Sequence, residues 1–132
     1  MFLLESNPVI AAVRNKNEIL QAVKTKCSVI FLLNTNILEI NEQIEIVHNN
    51  DKSVFVHIDL ADGIGKDYYG VNFIAKCKAD GIISTRTNLI KAAKEAGLKT
   101  VQRFFIVDSH SIDTALDTIK ISGADMIEIM PG

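Results

Sequence analysis

Three groups of polar side chains stand at the end of an apolar run of this sequence or within one, and each could hold a small oxygen-rich ligand. In residues 54–65, Phe55, His57 and Asp59 alternate with Val54, Val56 and Ile58, so a strand would carry the first three on one face. There a carboxylate could accept bonds from ligand hydroxyls and an imidazole could donate one; a paired His57 and Asp59 inside the fold is the plainer alternative. Asp62, Gly63 and Gly65 follow directly. Glycine tolerates positive φ and close backbone approach, which suits a turn cupping a ligand and equally an ordinary strand-to-helix connection.

The second group is Ser84, Thr85 and Arg86, two hydroxyls and a guanidinium that suit phosphate oxygens or an RNA backbone, or else cap the helix that follows. The third is Gln102 and Arg103, set in the middle of an apolar run, where the inward-facing one needs a partner and Glu128 is available. A buried ion pair is the simpler role for Arg103. Asp108 and Ser109 read first as a helix cap.

These groups need a scaffold, and the rest of the chain repeats one unit. Residues 8–13 are a short apolar run ending in Arg14, and residues 15–24 bring Ile19, Leu20 and Val23 back at helical spacing. Residues 28–34 are apolar on both faces, like a strand inside a parallel sheet, and residues 37–47 form an amphipathic helix. After the strand at 54–59 come a short helix over 71–78, a strand over 82–85, and a helix over 89–96 closed by Gly97. A strand over 100–107 follows. Ile112, Ala115, Leu116 and Ile119 then make one apolar helical stripe, Gly123 ends that helix, and residues 125–130 supply the last strand, with Pro131 and Gly132 shaping the loop beyond.

Composition narrows the class. The chain has 132 residues, 48% of them hydrophobic, enough for one domain with a sizeable core. A net charge of -2 announces no general attraction to nucleic acid or anionic membrane, so any RNA site must be local. Cys27 and Cys77 lack metal-ligand spacing and suit reduced core positions in a cytoplasmic protein. No apolar run approaches the ~20 residues of a membrane-spanning helix, and no metal or cofactor is implied.

About six strands alternating with about five helices predict a parallel α/β fold. Length favours an open doubly wound sheet, since a (β/α)₈ barrel typically takes ~250 residues. No glycine-rich nucleotide loop follows the first strand, however, and polar residues end nearly every strand: Arg14, Asn34, Asp59, Ser84, Asp108. Convergence of polar groups from many strand ends is barrel logic, so a TIM-barrel-like (β/α) domain with about six of eight units present competes with the open sheet.

The runs from His57 to Gly65, from Asp80 to Arg86, from Ala93 to Phe105, Asp108-Ser109, and from Ile127 to Gly132 together resemble the glycerol uptake operon antiterminator family. The resemblance spans nearly the whole chain. It implies a bacterial regulator with a TIM-barrel-like fold that senses glycerol 3-phosphate and binds the leader of glycerol-operon messenger RNA, preventing premature termination. Family members usually carry further strand and helix units, so the chain is expected to be a truncated member or a fragment, with exposed strand edges that could pair with a second copy.

On this reading the ligand site comprises His57, Asp59, Asp62, Gly63, Gly65, Ser84, Thr85, Arg103 and Glu128. The RNA face comprises Arg86 with Lys91 and Lys94, three apart on one helix, which are otherwise a solvated surface. Two other classes compete. A phospho-sugar barrel lyase or isomerase would use Asp59 or Glu128 as general base and His57 as acid; no lysine stands within a strand for a Schiff base, although Lys66 lies in a loop. A glycerophosphodiesterase would need a metal-binding cluster that is not visible. The remaining class is a scaffold that has lost its ligand.

Overall fold

The structure is a computed structural model that describes residues 9–131. Pro8 and Gly132, which the sequence assigns to the first strand and the last loop, lie outside the described residues. The elements are β1 (Ile10–Val13), α1 (Lys16–Ala22), β2 (Val29–Leu32), β3 (Thr35–Asn36), α2 (Ile40–Asn49), β4 (Ser53–His57), a 3₁₀ turn (Ile58–Leu60), β5 (Ala61–Asp62), α3 (Tyr68–Lys76), β6 (Gly81–Ser84), α4 (Thr87–Glu95), β7 (Lys99–Ile106), α5 (Ser109–Ser122) and β8 (Met126–Pro131).

The main sheet runs β1-β2-β4-β6-β7-β8, and every pairing is parallel. Each of its strands lies beside the one before it, with no reversal of order. A doubly wound sheet would reverse about a switch point. The sheet is instead the curled wall of an incomplete barrel, with the helices against its outer face. Length favoured the open sheet, and the strand order overrules it.

Alternation along the strands divides the apolar residues into two cores. Ile30, Leu32, Val54, Val56 and Ile82 face outward and pack with Ile19, Ile40, Ile44, Val71, Ile74 and Leu89 of the helices. Val29, Phe31, Phe55, Ile83 and Val101 face the concave side and fill the lumen. Phe31 and Phe55 meet there with ring centroids 5.5 Å apart. Gly81 makes room for them: a Cβ at that position would lie 2.5 Å from the Phe55 ring and 2.8 Å from the Lys99 carbonyl oxygen.

One clamp occurs twice at the N-terminal ends of the strands. Asp80, just before β6, accepts from the Val54 amide at 2.8 Å and from His48 Nε2 at 2.9 Å. Asp125, just before β8, accepts from the Thr100 amide at 2.8 Å and the Thr100 hydroxyl at 3.0 Å. Each carboxylate thereby satisfies a strand-end donor on the neighbouring strand.

Local signals placed most helix ends. Asp108 caps α5 by accepting from the Ser111 amide at 2.8 Å, and Gly97 and Gly123 adopt φ +84° and +69°. Helix α2 starts at Ile40 and not at residue 37, because Thr35–Asn36 pairs in parallel with Ala61–Asp62 as a two-stranded sheet. Helix α3 starts at Tyr68 and not at residue 71, because Asp67 accepts from the Gly70 amide at 2.9 Å. The apolar stripe of α5 is largely uncovered. Ala115 is buried, whereas Ile112 is 47% and Leu116 50% exposed. Cys27 is buried, and both cysteines are free thiols.

Candidate functional site

The C-terminal ends of β4, β6, β7 and β8 bring six of the expected residues together at the mouth of the lumen. His57 is the last residue of β4 and shares the inward face with Phe55. Asp59 does not continue that strand face. The chain turns into the 3₁₀ segment at Ile58, so Asp59 reaches its position from a turn, and Ile58 enters the outer core.

Once there, Asp59 ties two units together. Its Oδ1 accepts from the Ser84 hydroxyl at 2.7 Å, and its Oδ2 accepts from the Thr85 amide and hydroxyl at 2.8 Å each. Burial opposes the charged form, but the bonds from Thr85 and Ser84 outweigh it and hold the carboxyl below its ordinary pKa. Ser84 Oγ in turn accepts from the Arg86 amide at 3.0 Å, which satisfies a donor at the start of α4. Ser84 and Thr85 therefore organise the end of β6 while still presenting Thr85 to solvent.

Arg103 faces the lumen and Gln102 the helices, which resolves the pair that the sequence left open. Gln102 is fully buried and donates to Thr87 Oγ1 at 3.2 Å. Arg103 and Glu128 are paired across β7 and β8, and Arg103 Nε lies 2.7 Å from Glu128 Oε1. The expected ion pair is thus present, and because it uses Nε, the two Nη groups of the guanidinium remain available.

His57 completes the cluster. It is 3% exposed, and neither ring nitrogen has a hydrogen-bond partner. Burial, then the Arg103 charge, pushes its pKa down, against weaker opposing pulls from Asp59 and Glu128. A neutral imidazole with an unmatched donor and an unmatched acceptor beside a guanidinium is a costly arrangement unless something polar binds it.

The remaining expected residues lie elsewhere. Asp62 is held in the two-stranded sheet opposite Asn36. Gly63 sits at φ +76°, where a Cβ would lie 2.8 Å from Ile37 Cγ2. Gly65 packs under α3: its carbonyl oxygen would be 1.7 Å from a Cβ on Gly70. Gly63 and Gly65 therefore make a close-packed connection, and they line a surface recess with Ile37, Tyr69 and Phe73. Lys66 donates to the carbonyls of Ala61 and Ile64, so its amine is tied to the loop backbone.

Arg86, just before α4, and Lys91 on it are exposed, and Lys94 lies 3.2 Å from Asp125. Lys91 and Lys94 both lie exposed on α4, and Lys94 also joins the Asp125 clamp before β8. Pro131 pairs with Ile106 as the end of β8 and does not form a loop. No group of three or more His, Cys, Asp or Glu side chains is placed to hold a metal among the described residues.

The fold defines a class, the β/α-barrel proteins, and the cationic, hydroxyl-bearing cluster at the strand ends is a donor set suited to phosphate oxygens. Comparison with known proteins narrows this. Residues 9–132 match the model of the glycerol-3-phosphate responsive antiterminator family, and the chain belongs to that family. It is 37% identical over 133 residues to the uncharacterized protein YgcP of Escherichia coli K12, covering 100% of this chain and 70% of that one.

A glycerol uptake operon antiterminator-related protein from Thermotoga maritima superposes with a TM-score of 0.85 at 32% identity, over 95% of this chain and 71% of that one. The glycerol uptake operon antiterminator regulatory protein from Listeria monocytogenes gives 0.88 at 29% identity, over 100% and 72%. Likeness to a FabK and to a Schiff-base fructose-1,6-bisphosphate aldolase, at 11% and 10% identity, shows the barrel architecture alone.

Proposed function

We propose that this regulator binds glycerol 3-phosphate at the strand-end cluster and, when occupied, binds the leader of a glycerol-operon messenger RNA so that transcription continues past the terminator. The observation that carries the effector site is His57, buried with both ring nitrogens unpartnered beside the Arg103 guanidinium. Arg103 Nη groups and the Thr85 hydroxyl suit phosphate oxygens, and His57 suits a glycerol hydroxyl. Asp59 has three of its roughly four acceptor positions filled. Its main role is to position Ser84 and Thr85, with Glu128 fixing Arg103.

RNA would meet the exposed Arg86 and Lys91 beside this mouth, and Lys94 drops out of the interface because Asp125 holds it. Because Arg86 follows Thr85 directly, occupancy at the cluster can reach the RNA face through the Ser84 contact to the Arg86 amide. The site of action is the cytoplasm, where transcription takes place; no described helix is long and apolar enough to cross a membrane.

The enzyme reading is less well supported. Glu128 is engaged by Arg103, Asp59 by Ser84 and Thr85, and Lys66 by backbone carbonyls, so no base or amine stands free beside His57 among the described residues.

Calorimetry with glycerol 3-phosphate, glycerol and inorganic phosphate tests the effector, and filter binding of the leader RNA with and without glycerol 3-phosphate tests the output. Selective binding, lost in Arg103→Gln and His57→Phe, together with ligand-enhanced RNA retention is expected. Retention that ignores the ligand would overturn the antiterminator reading.

A further inference from the structure

A second polar cup lies at the ends of β1 and β2, next to β4 along the sheet but lined by none of the six residues of the His57 cluster, and it has a volume of about 160 Å³. That is well below the roughly 300–1,000 Å³ of sites that take drug-sized ligands, so it fits a ligand of only a few carbon atoms. Its floor is an anomaly in the sequence pattern of α2. Ile40, Ile44 and Val47 form the buried stripe of that helix, and Gln43 sits within the stripe, 4% exposed.

Gln43 Oε1 accepts from the buried Thr35 hydroxyl at 2.6 Å, while its Nε2 has no partner among the described residues and opens on the cup. A buried amide with one end satisfied and the other presented to a cavity is what a ligand contact requires.

The walls supply the charge. Arg14, which follows β1, makes no side-chain hydrogen bond or ion pair among the described residues, and neither does Asn34, which follows β2. Both line the cup with Asp62, whose carboxylate is likewise unengaged among the described residues. The neighbouring Lys16 and Glu39 are already taken, by Glu42 at 2.6 Å and by Asn36 at 2.6 Å. The free groups are therefore a guanidinium, two amides and one carboxylate. A guanidinium with amide donors recognises an oxyanion, and the carboxylate opposite accepts from a hydroxyl.

We infer that this cup is a second small-molecule site, for a compact hydroxylated oxyanion, a phosphate or a carboxylate, separate from the His57 cluster. Arg14 and the free amide of Gln43 hold the anion, Asn34 closes over it, and Asp62 orients the hydroxyl. The inference does not rest on the antiterminator reading. It also gives Asp62 a role in ligand recognition away from the glycine turn that follows it.

The test is a titration of the isotope-labelled chain, followed through the side-chain amide signals of Asn34 and Gln43, with inorganic phosphate, glycerol 3-phosphate, glycerate and glycerol as probes. Saturable shifts of both amides are expected with the hydroxylated anions and not with glycerol. A stronger response to glycerate than to glycerol 3-phosphate would assign the carboxylate source, and the reverse the phosphate source. Arg14→Gln, at an exposed position, should weaken binding about tenfold while leaving any shifts at Thr85 unchanged, and Gln43→Leu should weaken it likewise.

No saturable shift at these amides, or equal affinity in Arg14→Gln, would overturn the inference. Shifts at Thr85 without shifts at Gln43 would sink the second site while leaving the effector site standing. Shifts at Gln43 alone would keep the second site and remove the effector from the His57 cluster.

Discussion

Replacing Asp59 by alanine should destabilise the fold by about 2–6 kcal/mol, and the figure follows from what its carboxylate holds. Ser84 is fully buried, so its hydroxyl would lose its acceptor with no water to replace it, at ~1–3 kcal/mol. Thr85 is exposed, so its amide and hydroxyl would turn to solvent and lose only the net value of a hydrogen bond, ~0.5–1.5 kcal/mol each. For a chain of this size the sum lowers Tm by roughly 6–20 °C.

The pH dependence has a definite sign. Folded Asp59 has a depressed pKa, so its contribution is fully present above the unfolded value near ~4 and is lost as pH falls through the folded one. Urea denaturation of wild type and Asp59→Ala from pH 7 to pH 3 should show a gap that narrows below about pH 4. A gap under ~0.5 kcal/mol at pH 7, or one that does not change with pH, would refute the clamp. In binding, the same variant should weaken glycerol 3-phosphate by roughly 1–3 kcal/mol, through the loosened Ser84 and Thr85.

His57 should act in the same direction as Asp59 but at higher pH. Its folded pKa is depressed by burial first and Arg103 second, so the unfolded chain takes up the proton more readily and stability should fall as pH drops through the unfolded value near ~6.5. His57→Phe should remove that slope, and Arg103→Gln should raise the His57 pKa in an NMR titration. Gly70→Ala, normally a gain of up to ~1 kcal/mol inside a helix, should instead cost ~2 kcal/mol or more, because the new Cβ meets the Gly65 carbonyl; a neutral result in urea denaturation would show that α3 can shift. For RNA, Arg86→Ala with Lys91→Ala should reduce the slope of log affinity against log salt by about 1 for each phosphate these side chains neutralise, while Lys94→Ala should leave it unchanged and lower stability.

Much of the architecture was decided within short windows of sequence. Strand alternation, helical apolar spacing, Asp108 with Ser111, and the glycines at 97 and 123 each act over a few residues, so pattern and propensity were enough to read them. The likeness of the strand-end motifs to one regulatory family was legible for the same reason, since each motif is a contiguous run. The inward-facing ion pair of Arg103 and Glu128 could also be read, because a charge in an apolar strand must find its opposite.

What the sequence could not decide were contacts made across the fold. Whether strand four continued to Asp59 depended on Ser84 and Thr85, about 25 residues away, whose donors pull that carboxylate into a turn. Lys94 meets Asp125 on the next unit, and the helix expected from residue 37 begins at Ile40 because Thr35–Asn36 pairs with Ala61–Asp62. Gln43 falls inside the amphipathic helix that the sequence predicts over 37–47, and only the packing of α2 turned its amide into the floor of a cup. Local hydrogen bonds are set by neighbours three or four positions apart, but an unmatched buried donor exists only once the rest of the chain has closed around it.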